Sequence, residues 1–243
     1  MTLEEFFAKL SFEHLSSVTA GSSGSGEIHP DHQNKVLGFT NSGLIQLYSR
    51  FAHKKSYVTL VLDEAIKTYY LSTDYAVSNT DIANTNPRYL ADTANEPFKD
   101  DLIKILGVIQ EPMTDDETQV EIPINDNGDS ASVKTLEYNT LYVKEPEQGR
   151  NLSVEYQAYH PKLLSDCNNM LAQKIYLSPI LAEPLELYVA SRVLIGMGGE
   201  SHVNRGMALQ QLYESLCMRV EAKDTMQVTE TDNHDKLTER GFI

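Results

Sequence analysis

Residues 179–222 read PILAEPLELYVASRVLIGMGGESHVNRGMALQQLYESLCMRVEA, a helical period that is broken once. Pro179 opens a segment in which Pro184, Leu187, Tyr188, Ser191, Leu194 and Ile195 share a face. Gly196-Met-Gly-Gly199 stops that segment. Residues 205–222 then form a last helix with Leu209, Leu212, Tyr213, Leu216 and Val220 in register. Two helices joined by a short Gly-containing break predict an antiparallel hairpin.

Working outward, the N-terminal part also carries helical signals. Thr2-Leu-Glu-Glu5 has the form of a capping box, and Leu3, Phe6, Phe7 and Leu10 follow at the spacing of one helical face. AGSSGSG at 20–26 is small and polar and reads as a surface loop. Pro30 is well placed to start a second helix, whose stripe runs through Val36, Phe39, Thr40, Gly43, Leu44, Leu47, Tyr48 and Phe51. Gly38 and Gly43 each cost up to ~1 kcal/mol inside a helix, which points to close approach by another backbone.

Between these helical parts the period changes to that of strands. YVTLVL (57–62) and KTYYL (67–71) read as two strands of a hairpin across Asp63-Glu-Ala-Ile66. Residues 72–99 are rich in Ser, Thr, Asn, Asp and Pro and read as a long connection. Strands follow from Leu102 (DLIKILGVI), at 120–124 with Pro123 marking an edge, at 140–144 and at 152–159. The expected fold class is therefore α+β. N- and C-terminal helices (1–56 and 174–222) form a helical bundle, 57–173 is an inserted β-rich domain containing the loop 72–99, and 223–243 is an extended, flexible C-terminal tail.

The 243 residues hold 20 Lys+Arg against 35 Asp+Glu, a formal charge of −15. Such a surface is unsuited to gripping phosphates, because non-specific nucleic-acid affinity comes from cationic side chains displacing counterions. No apolar run approaches the ~20 residues that span a bilayer, so no membrane partner is expected. Two cysteines, Cys167 and Cys217, are too few for a disulfide framework.

Few reactive groups converge along the sequence. His29-x-x-His32 has metal-ligand spacing but no third ligand nearby, and the seven acids between Lys104 and Lys134 lack the EF-hand pattern. Ser165-Asp-Cys167 lacks a nucleophile elbow, and GMGGE (196–200) follows a helix rather than a strand. The sequence thus leads to no expected catalytic residue, cofactor or metal, and to no enzyme. Thirteen tyrosines fit either half-buried strand positions or an interface.

Several stretches resemble one family. LIQLYSRF (44–51) followed by YVTLVL is similar to the opening of phage head-to-tail adaptor (connector) proteins. FKDDLIKILGV (98–108), IPIND (122–126), YNTL (138–141) and LSVEYQAYH (152–160) resemble their β domain. IYLSP (175–179), LELYVASRV (185–193), Met197-Gly198 and YESLC (213–217) look like the closing helical hairpin of adaptors from short-tailed phages. The resemblance covers roughly residues 30–222.

It implies a structural virion protein in the neck, made in the host cytoplasm, that forms a homo-oligomeric ring, typically a dodecamer. Its partners would be the portal protein, the tail or nozzle protein and further copies of itself. DNA would pass through the channel without specific binding, which an acidic lumen favours. The flexible tail, ending in Gly241, Phe242 and Ile243, is the expected portal contact. The alternatives are a phage accessory protein that recognises host or glycan, and a hydrolase with dispersed carboxylates.

Overall fold

The computed structural model describes residues 1–16, 28–114, 116–166 and 169–223. They form four helices, α1 (Leu3–Glu13), α2 (Pro30–Arg50), α3 (Pro179–Met197) and α4 (Glu200–Ala222). They also form eight strands, all paired antiparallel: β1 (Lys55–Val61), β2 (Thr68–Tyr70), β3 (Leu90–Ala91), β4 (Leu102–Gln110), β5 (Val120–Glu121), β6 (Lys134–Glu137), β7 (Thr140–Tyr142) and β8 (Asn151–Ala158). The chain divides into two compact units. Among the described residues, one comprises 1–16, 28–43, 50–52, 165–166 and 169–223, the other 44–49, 53–114 and 116–164.

In the helical unit, Thr2 and Glu5 close the capping box, Glu5 N–H donating to Thr2 Oγ1 at 3.2 Å and Thr2 N–H to Glu5 Oε2 at 2.8 Å. Leu3, Phe6, Phe7 and Leu10 are buried. The chain before α1 is tied by Leu3 N–H to Gln173 O and Ile175 N–H to Met1 O, both at 2.9 Å. Helix α3 is buried on every side from Pro184 to Ser191, the state of a helix that is apolar all round. Neighbours reach it through glycines. A Cβ at Gly43 would lie 2.7 Å from Leu185 Cδ1 and 2.8 Å from Tyr188 Cδ1. One at Gly206 would lie 2.7 Å from Ile195 Cγ1 and 3.0 Å from Ser191 O. The turn between α3 and α4 uses Gly198 and Gly199 at φ 73° and 79°, a region open to glycine without strain.

This overturns the helical-bundle reading. The fold is α+β, with four helices and two antiparallel sheets, and not a bundle of terminal helices carrying an insertion. A bundle needs several amphipathic helices of similar length around a shared apolar seam. Here α3 is itself the core, α1 spans only 11 residues, and residues 44–49 of α2 belong to the β unit. The C-terminal tail proposed for 223–243 lies outside the described residues from 224 onward.

The β unit holds a five-stranded sheet in the order β3-β1-β8-β4-β5 and a three-stranded sheet in the order β2-β7-β6. Strand β8 pairs along β1 from Lys55↔Gln157 to Val61↔Asn151, and along β4 from Leu102↔Ala158 to Gln110↔Leu152. Its Leu152, Val154, Tyr156 and Ala158 alternate into the core. In β4 the buried residues Leu102, Ile105 and Val108 are three apart rather than two. Register shifts at Leu102/Lys104 and Ile105/Gly107 each insert one residue, so these side chains keep to the same face. Both sheets feed one hydrophobic core, in which Val58, Leu60, Val108 and Val154 meet Tyr69 and Leu141.

Three further expectations change. The segments 57–62 and 67–71 are strands but not a hairpin, since β1 pairs with β8 and β3 whereas β2 pairs with β7 in the other sheet. The segment 72–99 is not a plain connection. It contains β3, and Arg88 donates to the carbonyls of Asp74 (3.0 Å) and Ala76, Asp81 and Asn84 (3.4 Å each). Its Asn and Asp residues are internal hydrogen-bond partners. Finally, Gly38 has nothing within 4 Å of a Cβ, and Gly43 is approached closely by the side chains of Leu185 and Tyr188 rather than by a backbone.

Gly206→Ala is expected to destabilise the protein by ~1–3 kcal/mol, because two of the close contacts, Ser191 O and Ile195 N, are backbone and the helices must part to admit a methyl group. Gly38→Ala is expected to stabilise it by ~0.5–1 kcal/mol through helix propensity alone. Urea unfolding of the two variants beside the parent checks both signs.

Candidate functional site

Three places bring functional side chains together. The first is a groove of about 470 Å³ in the β unit, lined by Lys54, Tyr57, Asp92, Phe98, Asp101 and Tyr156 among others. Lys54 Nζ lies 2.7 Å from Asp101 Oδ2, and Tyr156 donates its hydroxyl to Asp101 Oδ1 at 3.1 Å. Burial pushes the Tyr156 phenol up to about 12. Asp92 receives Ser78 N–H at 2.7 Å, Ser78 Oγ–H at 2.5 Å and Phe98 N–H at 2.9 Å. Desolvation would raise the pKa of this carboxyl, but the hydrogen bonds outweigh it and hold the group below its ordinary range. Lys54 and Tyr156 thus engage Asp101, while Asp92 ties Ser78 to Phe98 within the 72–99 segment.

The second is a tyrosine cluster at the corner where the chain leaves β1 for β2. Tyr70 stacks on Tyr75 at 5.5 Å, Tyr75 on Tyr89 at 5.1 Å, and Tyr69 meets Tyr89 edge-on at 4.9 Å. The Tyr69 hydroxyl accepts from Asp63 N–H at 2.9 Å and donates to Asp63 O at 3.1 Å. Tyr89 does the same for Tyr70, accepting its N–H at 2.7 Å and donating to its carbonyl at 3.3 Å. These tyrosines are structural clasps.

The third is exposed apolar surface, and each unit carries its own. On α4, residues 207, 211, 215, 218 and 222 fall on one line and are all exposed. They are Met207, Gln211, Ser215, Met218 and Ala222, with no charge among them, and Leu212 is exposed beside them. Met218 is 60% exposed. The acids of that half of the helix face elsewhere: Glu214 and Glu221 hold the Arg50 guanidinium at 2.7 Å and 2.6 Å. The face buried instead is Gly206, Tyr213, Cys217 and Val220, so the expected inward position of Leu212 is corrected. In the β unit, Leu136 and Tyr138 at the β6–β7 turn are 59% and 66% exposed. They border a groove of about 510 Å³ shared with Ile103, Ile105 and Ile124. Large exposed apolar side chains grouped in this way mark interaction surfaces.

His29 and His32 stand with ring centroids 6.0 Å apart, and no third ligand joins them among the described residues. Cys217 is buried in the helical unit, and burial raises its thiol pKa. Cys167, the loop 20–26 and the proposed portal contact Gly241, Phe242 and Ile243 lie outside the described residues. Of the acidic stretch, Glu117 binds Arg150 at 2.6 Å, while Asp126 and Asp129 accept the N–H groups of Gly128 and Ala131 in local turns. One cluster was invisible to spacing arguments: Glu13, His14 and Glu186 come together although 172 residues separate the last two.

Comparison with known proteins finds no family model that matches the chain and no curated protein similar to it.

Tyr69→Phe is expected to cost about 1–2 kcal/mol by leaving Asp63 N–H without its acceptor. Faster hydrogen exchange at 63–66, with the helical unit unchanged, would accompany the loss. Identical unfolding midpoints would contradict the corner role.

Proposed function

We propose that the chain is a structural virion subunit, a head-to-tail adaptor that assembles as a ring between the portal and the tail of a short-tailed phage. The observation carrying this reading is the pair of unlike apolar surfaces, the α4 line through Met207 and Met218 and the β6–β7 turn with Leu136 and Tyr138. A ring is closed by heterologous contacts, in which one patch of each subunit meets a different patch of the next. A chain of formal charge −15 that keeps large apolar side chains exposed in two places suits that requirement. The acidic remainder suits a DNA conduit, because like charge keeps the duplex from adhering to the wall. The motifs at 44–51, 98–108 and 185–193 support the same family. Portal contact is assigned to the closing residues Gly241, Phe242 and Ile243.

Mixed with the portal ring of its own phage, the chain is expected to form a defined multimer visible by native mass spectrometry and electron microscopy. Deleting residues 224–243 should weaken that co-assembly at least about tenfold, as expected for a segment that folds on binding. A full-length chain that neither binds portal nor occurs in purified virions contradicts the reading.

A further inference from the structure

We propose that Glu13, His14 and Glu186 form a binding site for a divalent first-row transition ion, Zn2+ by ligand type, between the C-terminal end of α1 and the middle of α3. One ligand atom from each of the three side chains lies within 4.8 Å of the others. Imidazole with two carboxylates is a donor set that zinc accepts, with bonds of about 2.0–2.2 Å. Donors around such an ion stand about 3.4 Å apart, a contraction of up to roughly 1.4 Å, to which the exposed Glu13 side chain contributes.

A second observation points to a ligand. His14 Nε2 is shut off from solvent and has no hydrogen-bond partner, a state that costs free energy for any buried polar atom. A metal ion is a species that accepts an imidazole lone pair. Glu186 is a carboxylate only 2% exposed in the body of α3. Its Oε1 meets Lys9 Nζ at 3.5 Å, the outer limit of a hydrogen bond, from a lysine side chain that is 56% exposed. Buried carboxylates are normally paired or bound to metal. Lys9 and Glu13 stand one turn apart on α1, so the lysine can swing into solvent as an ion enters.

The surrounding charges also favour a cation. Glu183 acts electrostatically on both His14 and Glu186. The last turn of α1 carries no basic residue, so its partial negative charge is uncompensated by the helix's own side chains. Opposing these are Lys9 and Arg205, whose Nη2 donates to His14 O at 3.1 Å. The site belongs wholly to the helical unit and does not depend on the adaptor reading.

The test uses the full chain, stripped with chelator and titrated with Co2+. The expected result is a visible ligand-field spectrum of four- or five-coordinate cobalt, bleached by Zn2+, and a Zn2+-dependent rise in unfolding temperature. Glu13→Gln, on the exposed side and so without effect on folding, should weaken binding at least about tenfold. His14→Gln should abolish it, and His32→Gln should leave it unchanged. A parent chain that gives only the spectrum of aqueous cobalt and no thermal response overturns the proposal. So does binding that Glu13→Gln and His14→Gln leave intact.

Discussion

Helix α3 sets the terms for the helical unit. Its surface is apolar apart from Glu186 and Ser191 in the stretch from Pro184 to Ser191, where every residue is buried. Such a helix must be covered on every side, because each exposed methylene would cost about 0.8 kcal/mol of lost burial. Cover at close range requires small residues in the covering helices, which Gly43 and Gly206 provide. Once α4 has committed Gly206, Tyr213, Cys217 and Val220 to α3, its opposite face is fixed as outer surface.

What that outer face contains is the link from packing to function. A solvated helix face in an acidic protein would ordinarily carry charge. Here Arg50 draws Glu214 and Glu221 to the side, and the remaining line is Met, Gln, Ser, Met and Ala. Methionine is adaptable and common at surfaces that meet partners. The β unit presents a different patch at Leu136 and Tyr138, built on a turn rather than on a helix. Two unlike patches, one on each compact unit, are the physical basis for the proposal that the chain is a repeating subunit.

Local features of the fold were legible in the sequence where the cause is local. The capping box at Thr2 and Glu5, the α2 start at Pro30 and the alternation in β8 depend on neighbours within a few residues. The sheet partners were not legible: β2 joins β7 some seventy positions away, and nothing in KTYYL distinguishes that pairing from a hairpin with β1. The spacing of three in β4 hides two bulges that only its partner β8 reveals. In α4, Leu209, Leu212 and Leu216 fit a helical stripe as well as the true one. The informative residue was Gly206, whose missing side chain marks the side of closest approach. The cluster of Glu13, His14 and Glu186 had no sequence signal at all, because α1 meets α3 only through the tertiary fold. Polar residues in 72–99 looked like solvent-facing loop, yet Arg88 and Asp92 bind that segment internally.

We propose that the two apolar patches meet each other in a head-to-tail contact between copies. Sedimentation velocity on a pair of deliberately disabled chains tests it directly. Met207→Glu with Met218→Glu removes the α4 patch, and Leu136→Glu with Tyr138→Glu removes the other. All four side chains are exposed, so the fold is retained. Under conditions where the parent multimerises, each disabled chain alone should remain a monomer. An equimolar mixture should stop at a dimer, the intact α4 patch of one chain meeting the intact turn of the other. A mixture that stays monomeric, or a disabled chain that still multimerises like the parent, would contradict the account.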